Sequence, residues 1–139
     1  MVVEKYGGID VVINNAGVQF RSGRPLSFGE IAKTTMDINF YGALNVLKMM
    51  LPCVKSNGRI VNVSSVLCVP ALKNCSKELQ QEFESDKITE EDLCQLMNEF
   101  VTYAKSNTHE QRGFPTDAYG VSKIGVTVLT KMYGKIHFD

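Results

Sequence analysis

Two short β-branched runs constrain the fold of this chain more than any other feature. The first, Ile9-Asp10-Val11-Val12-Ile13, ends in Asn14-Asn15-Ala16-Gly17, and the second, Arg59-Ile60-Val61-Asn62-Val63, ends in Ser64-Ser65. Nearly continuous runs of this kind suit strands buried on both faces, as in a parallel sheet covered by helices. Between them Met36, Phe40, Leu44, Leu47 and Leu51 recur at helical spacing, which predicts a helix over about residues 35–54. Pro52 falls late in that helix, and Asn57-Gly58 reads as its stop. Strand, helix and strand form a right-handed crossover between parallel strands. Ser65 is then expected at the same sheet edge as residues 14–17, the carboxyl edge where ligands of open α/β folds collect. By itself Asn14-Asn15-Ala16-Gly17 also reads as a plain turn.

The flanks are helical. Val2, Val3 and Tyr6 before Gly7-Gly8 look like the last turn of a helix with a glycine stop, so further sequence is expected upstream. Residues 21–25 form a polar loop, and Ser27-Phe28-Gly29-Glu30 has capping-box spacing for a short helix. Over residues 66–117, Ser76 and Thr89 are candidate N-caps, the second followed by Glu90, Glu91 and Asp92. The helix after Ser76 carries Leu79 and Phe83, whereas the one after Thr89 has an apolar face of Leu93, Leu96, Met97, Phe100, Val101 and Ala104. Residues 105–115 read as a loop. Residues 117–133 are β-branched enough to suggest a strand, yet a helix is expected there, with Gly125 permitting close packing.

Fifteen basic and fifteen acidic side chains leave no net charge, so nothing argues for a broad nucleic-acid or anionic-membrane surface. No apolar run approaches the roughly 18 residues of a membrane span. Cys53, Cys68, Cys75 and Cys94 form no C-x-x-C pair and have no histidine close by in sequence, so metal ligation is not expected. They read as buried or half-buried thiols of a cytoplasmic protein.

The helix over residues 117–133 is expected because it contains Tyr119-Gly120-Val121-Ser122-Lys123. Tyrosine and lysine four apart share one helix face. An ammonium beside a phenol favours the phenolate, lowering a pKa that is otherwise about 10 and suiting the phenol to general acid work. Asn39 stands beside the first apolar stripe, where an asparagine is mildly unfavourable in a helix; its plainer role is a satisfied, half-buried polar group.

With Asn14-Asn15-Ala16-Gly17, Asn39, Ser65 and Tyr119-x-x-x-Lys123 in this order, the chain resembles the short-chain dehydrogenase/reductases, and within them the NADPH-dependent carbonyl reductases. Further support comes from Gly58-Arg59-Ile60-Val61-Asn62-Val63 and from Ile88-Thr89-Glu90-Glu91. The likeness implies an α/β fold: a partial Rossmann-type, doubly wound parallel sheet of two strands with a helical insertion over about 66–117. Residues 1–139 would be one partial NAD(P)-binding domain. In the monomeric carbonyl reductases such an insertion covers the surface that other members use to oligomerise, and the helix of residues 93–104 fits that role; the alternative is a helix that fills a partner's groove. The resemblance also implies roles. Tyr119 would protonate the substrate carbonyl and Ser65 would hydrogen-bond its oxygen. Lys123 would support Tyr119 and hold the nicotinamide ribose, and Asn39 would hold a water in a proton relay. Asn15, Ala16 and Gly17 would lie along NADPH, with Tyr119 and Lys123. Phe20, Arg21, Ser22 and Ala118, with Ser65, would line the site for a small carbonyl substrate, and for glutathione or its conjugates as a further ligand. Neither nucleic acid nor membrane is implied.

The family's glycine-rich T-G-x-x-x-G-x-G turn, whose backbone N–H groups meet the pyrophosphate, does not occur in these 139 residues. The chain thus looks truncated at both ends. Two readings stand: an oxidoreductase represented by its catalytic half, or an inactive fragment that associates with another protein.

Overall fold

A computed structural model of the chain describes residues 2–20 and 25–138. Helix α1 (Val2–Tyr6) ends at Gly7-Gly8, the expected glycine stop. Strand β1 (Ile9–Asn14) pairs in parallel with β2 (Val54–Asn62), and among the described residues these two make the whole sheet. Their register, Val12↔Ile60 and Asn14↔Asn62, brings both strand ends level. The strand-helix-strand reading is therefore correct, but two details differ. β2 begins at Val54, so Asn57-Gly58 lies within the strand rather than stopping a helix. The register slips between Ile9↔Val54 and Val11↔Arg59, and residues 55–58 bulge opposite Asp10. Nor are the strands buried on both faces. Val11, Ile13 and Val61 are 49%, 67% and 45% exposed, whereas Val12 and Ile60, which alternate with them, are half-buried.

That covered face meets one long helical rod. Ser27 and Glu30 form the expected capping box at the start of α2 (Phe28–Thr35). The chain continues without a break through a π segment (Met36–Tyr41) into α3 (Gly42–Met50), and a single 3-10 turn at Leu51–Cys53 holds Pro52. The helix expected over 35–54 thus begins seven residues earlier, since the capping box and the apolar stripe belong to one rod. In the π segment the Gly42 N–H reaches back to the Asp37 carbonyl, one residue beyond the α-helical partner.

The insertion is wholly helical: α4 (Cys68–Lys73), α5 (Lys77–Glu84) and α6 (Glu90–Lys105), followed by a 3-10 turn at Glu110–Arg112. Ser76 caps α5, and Thr89 and Asp92 form a capping box on α6, as the residue types suggest. Only α4 is unanticipated. The final helix, α7 (Ala118–Phe138), confirms helix over strand despite its valines and isoleucine. Asp117 Oδ1 accepts the Gly120 N–H at 2.8 Å and so caps its start. No described helix is long and apolar enough to cross a membrane.

The core lies between helices, not against the sheet. Phe40, Phe100, Phe114, Met36, Leu93, Met97 and Leu129 are all essentially inaccessible, and they join the rod, α6 and α7. The apolar face of α6 is buried as a unit on α2 and α7. At its start, Glu90 accepts hydrogen bonds from Lys48 of α3 and, at 2.7 Å, from the Tyr133 hydroxyl of α7. Gly125 is a point of close approach between α7, the π segment and α6. A Cβ there would stand 2.7 Å from Phe40 Cδ2 and 2.9 Å from Met97 Sδ. Glycine in a helix normally costs about 1 kcal/mol relative to alanine, so Gly125→Ala should stabilise if packing were neutral. We expect the opposite: a loss of about 1–3 kcal/mol from overpacking. Gly134→Ala, where nothing lies within 4 Å, should gain up to about 1 kcal/mol. Urea unfolding of the two variants checks both signs.

Candidate active site

The level ends of β1 and β2 are tied before the chain leaves the sheet. Asn14 Nδ2 donates to the Ala43 carbonyl and to Asn62 Oδ1, each at 3.1 Å. Beyond them, Asn15, Ala16 and Gly17 are exposed, and Val18 is caught by Asn39. The Val18 N–H donates to Asn39 Oδ1 at 2.7 Å, and Asn39 Nδ2 donates to the Val18 carbonyl at 2.9 Å. A second Nδ2 bond, 3.0 Å, goes to Ser122 Oγ, which itself donates to the Tyr119 carbonyl at 2.7 Å. Asn39 is 1% exposed and sits in the middle of the π segment. Its amide bonds a loop and a second helix instead of its own backbone, which overcomes the poor helix propensity of asparagine.

On α7, Tyr119 and Lys123 share one face, with the Lys123 Nζ 5.6 Å from the centre of the phenol ring. Lys123 is 5% exposed and donates to the Val63 carbonyl at 2.8 Å. Burial pushes its pKa below the ordinary lysine value. A Cβ on Gly17 would lie 3.2 Å from Asn39 Oδ1 and 3.7 Å from Lys123 Nζ, so the first strand's exit, the π segment and α7 meet there. Ser65 Oγ accepts the Leu67 N–H at 3.2 Å and keeps its own hydrogen to donate. No described residue hydrogen-bonds the Tyr119 hydroxyl. Two hydroxyl donors, a buried ammonium and an open stretch of backbone at the carboxyl edge of a parallel sheet form an arrangement that can bind and protonate an oxygen.

Phe20 is half-buried, and Ala118 is buried in the core at the first turn of α7. Arg21 and Ser22 lie outside the described residues. Among the described residues no cluster of His, Cys, Asp or Glu could hold a metal ion. The four thiols are free, Cys75 buried and the others half-buried as expected, and burial pushes Cys75 up to about 11. Sequence reasoning passed over Ser122, Ser64 and Thr127. The only signal for them was their place beside or within the Ser65 and Tyr119-Lys123 motifs.

Comparison with known proteins agrees with this geometry. A family model described as short chain dehydrogenase matches residues 1–89. Over 132 residues the chain is 50% identical to carbonyl reductase (NADPH) 1 of Homo sapiens and 44% identical to carbonyl reductase (NADPH) 3 of the same species, covering 95% of this chain and 48% of each relative. The chain therefore spans about half the length of the curated relatives it matches. Among solved structures, salutaridine reductase from Papaver somniferum superposes with a TM-score of 0.82 at 23% identity, over 97% of this chain and 57% of that one. Menthone neomenthol reductase from Mentha piperita gives 0.79 at 24% identity, over 97% and 60%, so both attest the fold. Strand pairing, the conjunction of motifs and the family match agree: the chain belongs to the short chain dehydrogenase family.

Proposed function

We propose that this chain is the catalytic half of an NADPH-dependent carbonyl reductase, which reduces ketones, aldehydes and quinones to alcohols. The observation that carries the reading is the meeting of Gly17, Asn39 and Lys123 at the sheet's carboxyl edge, beside the uncommitted hydroxyls of Ser65 and Tyr119. Asn15, Ala16 and Gly17 fit the nicotinamide end of the cofactor, since they are exposed and a side chain at Gly17 would crowd Asn39 and Lys123. With Tyr119 and Lys123 they would hold NADPH, which supplies hydride when bound. The pyrophosphate has no glycine-rich turn to meet within these residues.

Tyr119 would give its phenolic proton to the carbonyl oxygen, and Ser65 would donate a hydrogen bond to that oxygen as charge develops there. The Lys123 ammonium would stabilise the negative charge left on the Tyr119 oxygen. Asn39 would hold a relay water through the lone pair left on Oδ1, because both Nδ2 hydrogens are committed. The substrate is a small carbonyl compound, which Phe20, Arg21, Ser22 and Ala118 would help to line. Glutathione conjugates are the narrower class we would test. Free thiols support a cytoplasmic location, and the α6 face buried on the domain supports a monomer. A second reading, a fragment that works only in association with another polypeptide, is favoured by the exposed sheet face of Val11, Ile13 and Val61.

The purified 139-residue chain distinguishes the two. Saturable NADPH binding by fluorescence, with quinone reduction that falls by about 10²–10⁴-fold in Tyr119→Phe, is the result expected of the enzyme; no binding and no turnover would leave the association reading. A pH experiment tests the buried lysine. Because the folded Lys123 pKa is lowered, the folded state binds fewer protons than the unfolded state up to the unfolded value near about 10.4. Stability relative to Lys123→Met should therefore rise with pH from the folded pKa to that value and then level off. Urea unfolding at stepped pH measures it, and a flat or falling difference would contradict a desolvated ammonium.

A further inference from the structure

The exit of β2 carries two adjacent serines, and the mechanism above uses only Ser65. Ser64 turns into α7 instead. Its Oγ lies 3.1 Å from the Lys123 carbonyl and 2.6 Å from Thr127 Oγ1, while Thr127 Oγ1 donates to the same carbonyl at 2.8 Å. Either hydroxyl can donate across the 2.6 Å contact, and the other hydrogen then goes to the carbonyl, so the pair is closed in both arrangements. Thr127 also reaches Cys68 Sγ at 3.7 Å. Three successive residues are thereby stitched to α7: Asn62 donates to Thr130 Oγ1 at 3.1 Å, Val63 accepts from Lys123 Nζ, and Ser64 meets Thr127. A threonine bonded to the carbonyl four residues back is by itself ordinary helix behaviour, as Thr130 shows toward Val126. Thr127 differs because the carbonyl belongs to Lys123 and the partner hydroxyl to the residue before Ser65.

Resting on the reading of the site given above, we propose that Ser64 and Thr127 are positioning residues. Their paired hydroxyls lock the Lys123 turn of α7 to the end of β2 and set the spacing of Ser65 from the Tyr119-Lys123 face. Neither touches the reacting atoms. The Asn62–Thr130 contact is a purely structural tie between the same two elements, farther from the chemistry.

The test uses the full 139-residue chain and variants Ser64→Ala, Thr127→Val, Thr127→Ser and Thr130→Val. In quinone reduction, Ser64→Ala and Thr127→Val should each lower kcat roughly tenfold or more with little change in KM, since small misplacements of reacting groups are costly. The double variant should be little worse than either single one, because both remove the same contact. Thr127→Ser should restore kcat, and Thr130→Val should leave it near wild type. The second readout needs no turnover: the NMR titration of Lys123, assigned with Lys123→Met, should move toward an ordinary lysine in Ser64→Ala and Thr127→Val but not in Thr130→Val. If the wild-type chain proves inactive, the proposed function fails while this titration still decides the positioning role. An unmoved Lys123 titration in folded Ser64→Ala overturns the proposal, as does a kcat loss no larger than that of Thr130→Val.

Discussion

The seating of Phe40 against the bare backbone of Gly125 brings α7 onto the π segment, and the rest of the structure depends on that contact. A fully buried phenylalanine contributes about 1.5–3 kcal/mol, and Phe40 does not act alone, because Met97 of α6 closes on the same point. Three segments distant in sequence thus meet where there is no side chain. Asn39 precedes Phe40, and Ser122 and Lys123 lie within a turn of Gly125. The apolar contact brings their polar groups within hydrogen-bonding reach. Each of those hydrogen bonds has a net value near about 1 kcal/mol, so packing supplies the energy and the hydrogen bonds supply the direction.

This division explains why a two-stranded sheet can hold a site. Two strands rarely make an independently stable sheet, and here one face is bare. The strand ends are fixed from the helical side instead, through Asn14 to Ala43, Asn62 to Thr130 and Val63 to Lys123. The price is a set of buried polar groups that must all be satisfied, since an orphan would cost about 1–3 kcal/mol. Asn39 meets that requirement with three bonds. The exception among the described residues is His109 Nδ1, which is buried without a partner beside Phe28.

Features governed by local chemistry were legible in the chain itself. The capping boxes at Ser27 and Thr89, the glycine stop at Gly7-Gly8, the α6 stripe and the need for Gly125 each depend on residues within about a turn, or on the absence of one side chain. The sheet edge carrying residues 14–17 and Ser65 was legible for a topological reason: parallel strands joined by a helix must end together. Less legible were the early start of β2, the continuity of the rod from Phe28 to Met50 and the exposed sheet face. Each depends on which surface another element covers.

The sequence by itself determined the family, the parallel strand pair and the identities of Asn39, Ser65, Tyr119 and Lys123 as candidates, because residue type and order carry that information. Only the tertiary structure decided what surrounds them. The π segment turns Asn39 toward Val18, Ser122 completes its amide, burial lowers the Lys123 pKa, and Ser64 joins Thr127 across 63 positions. Hydroxyl and amide side chains have many possible partners in an extended chain; packing of the helices on one face of β1 and β2 selects a single set.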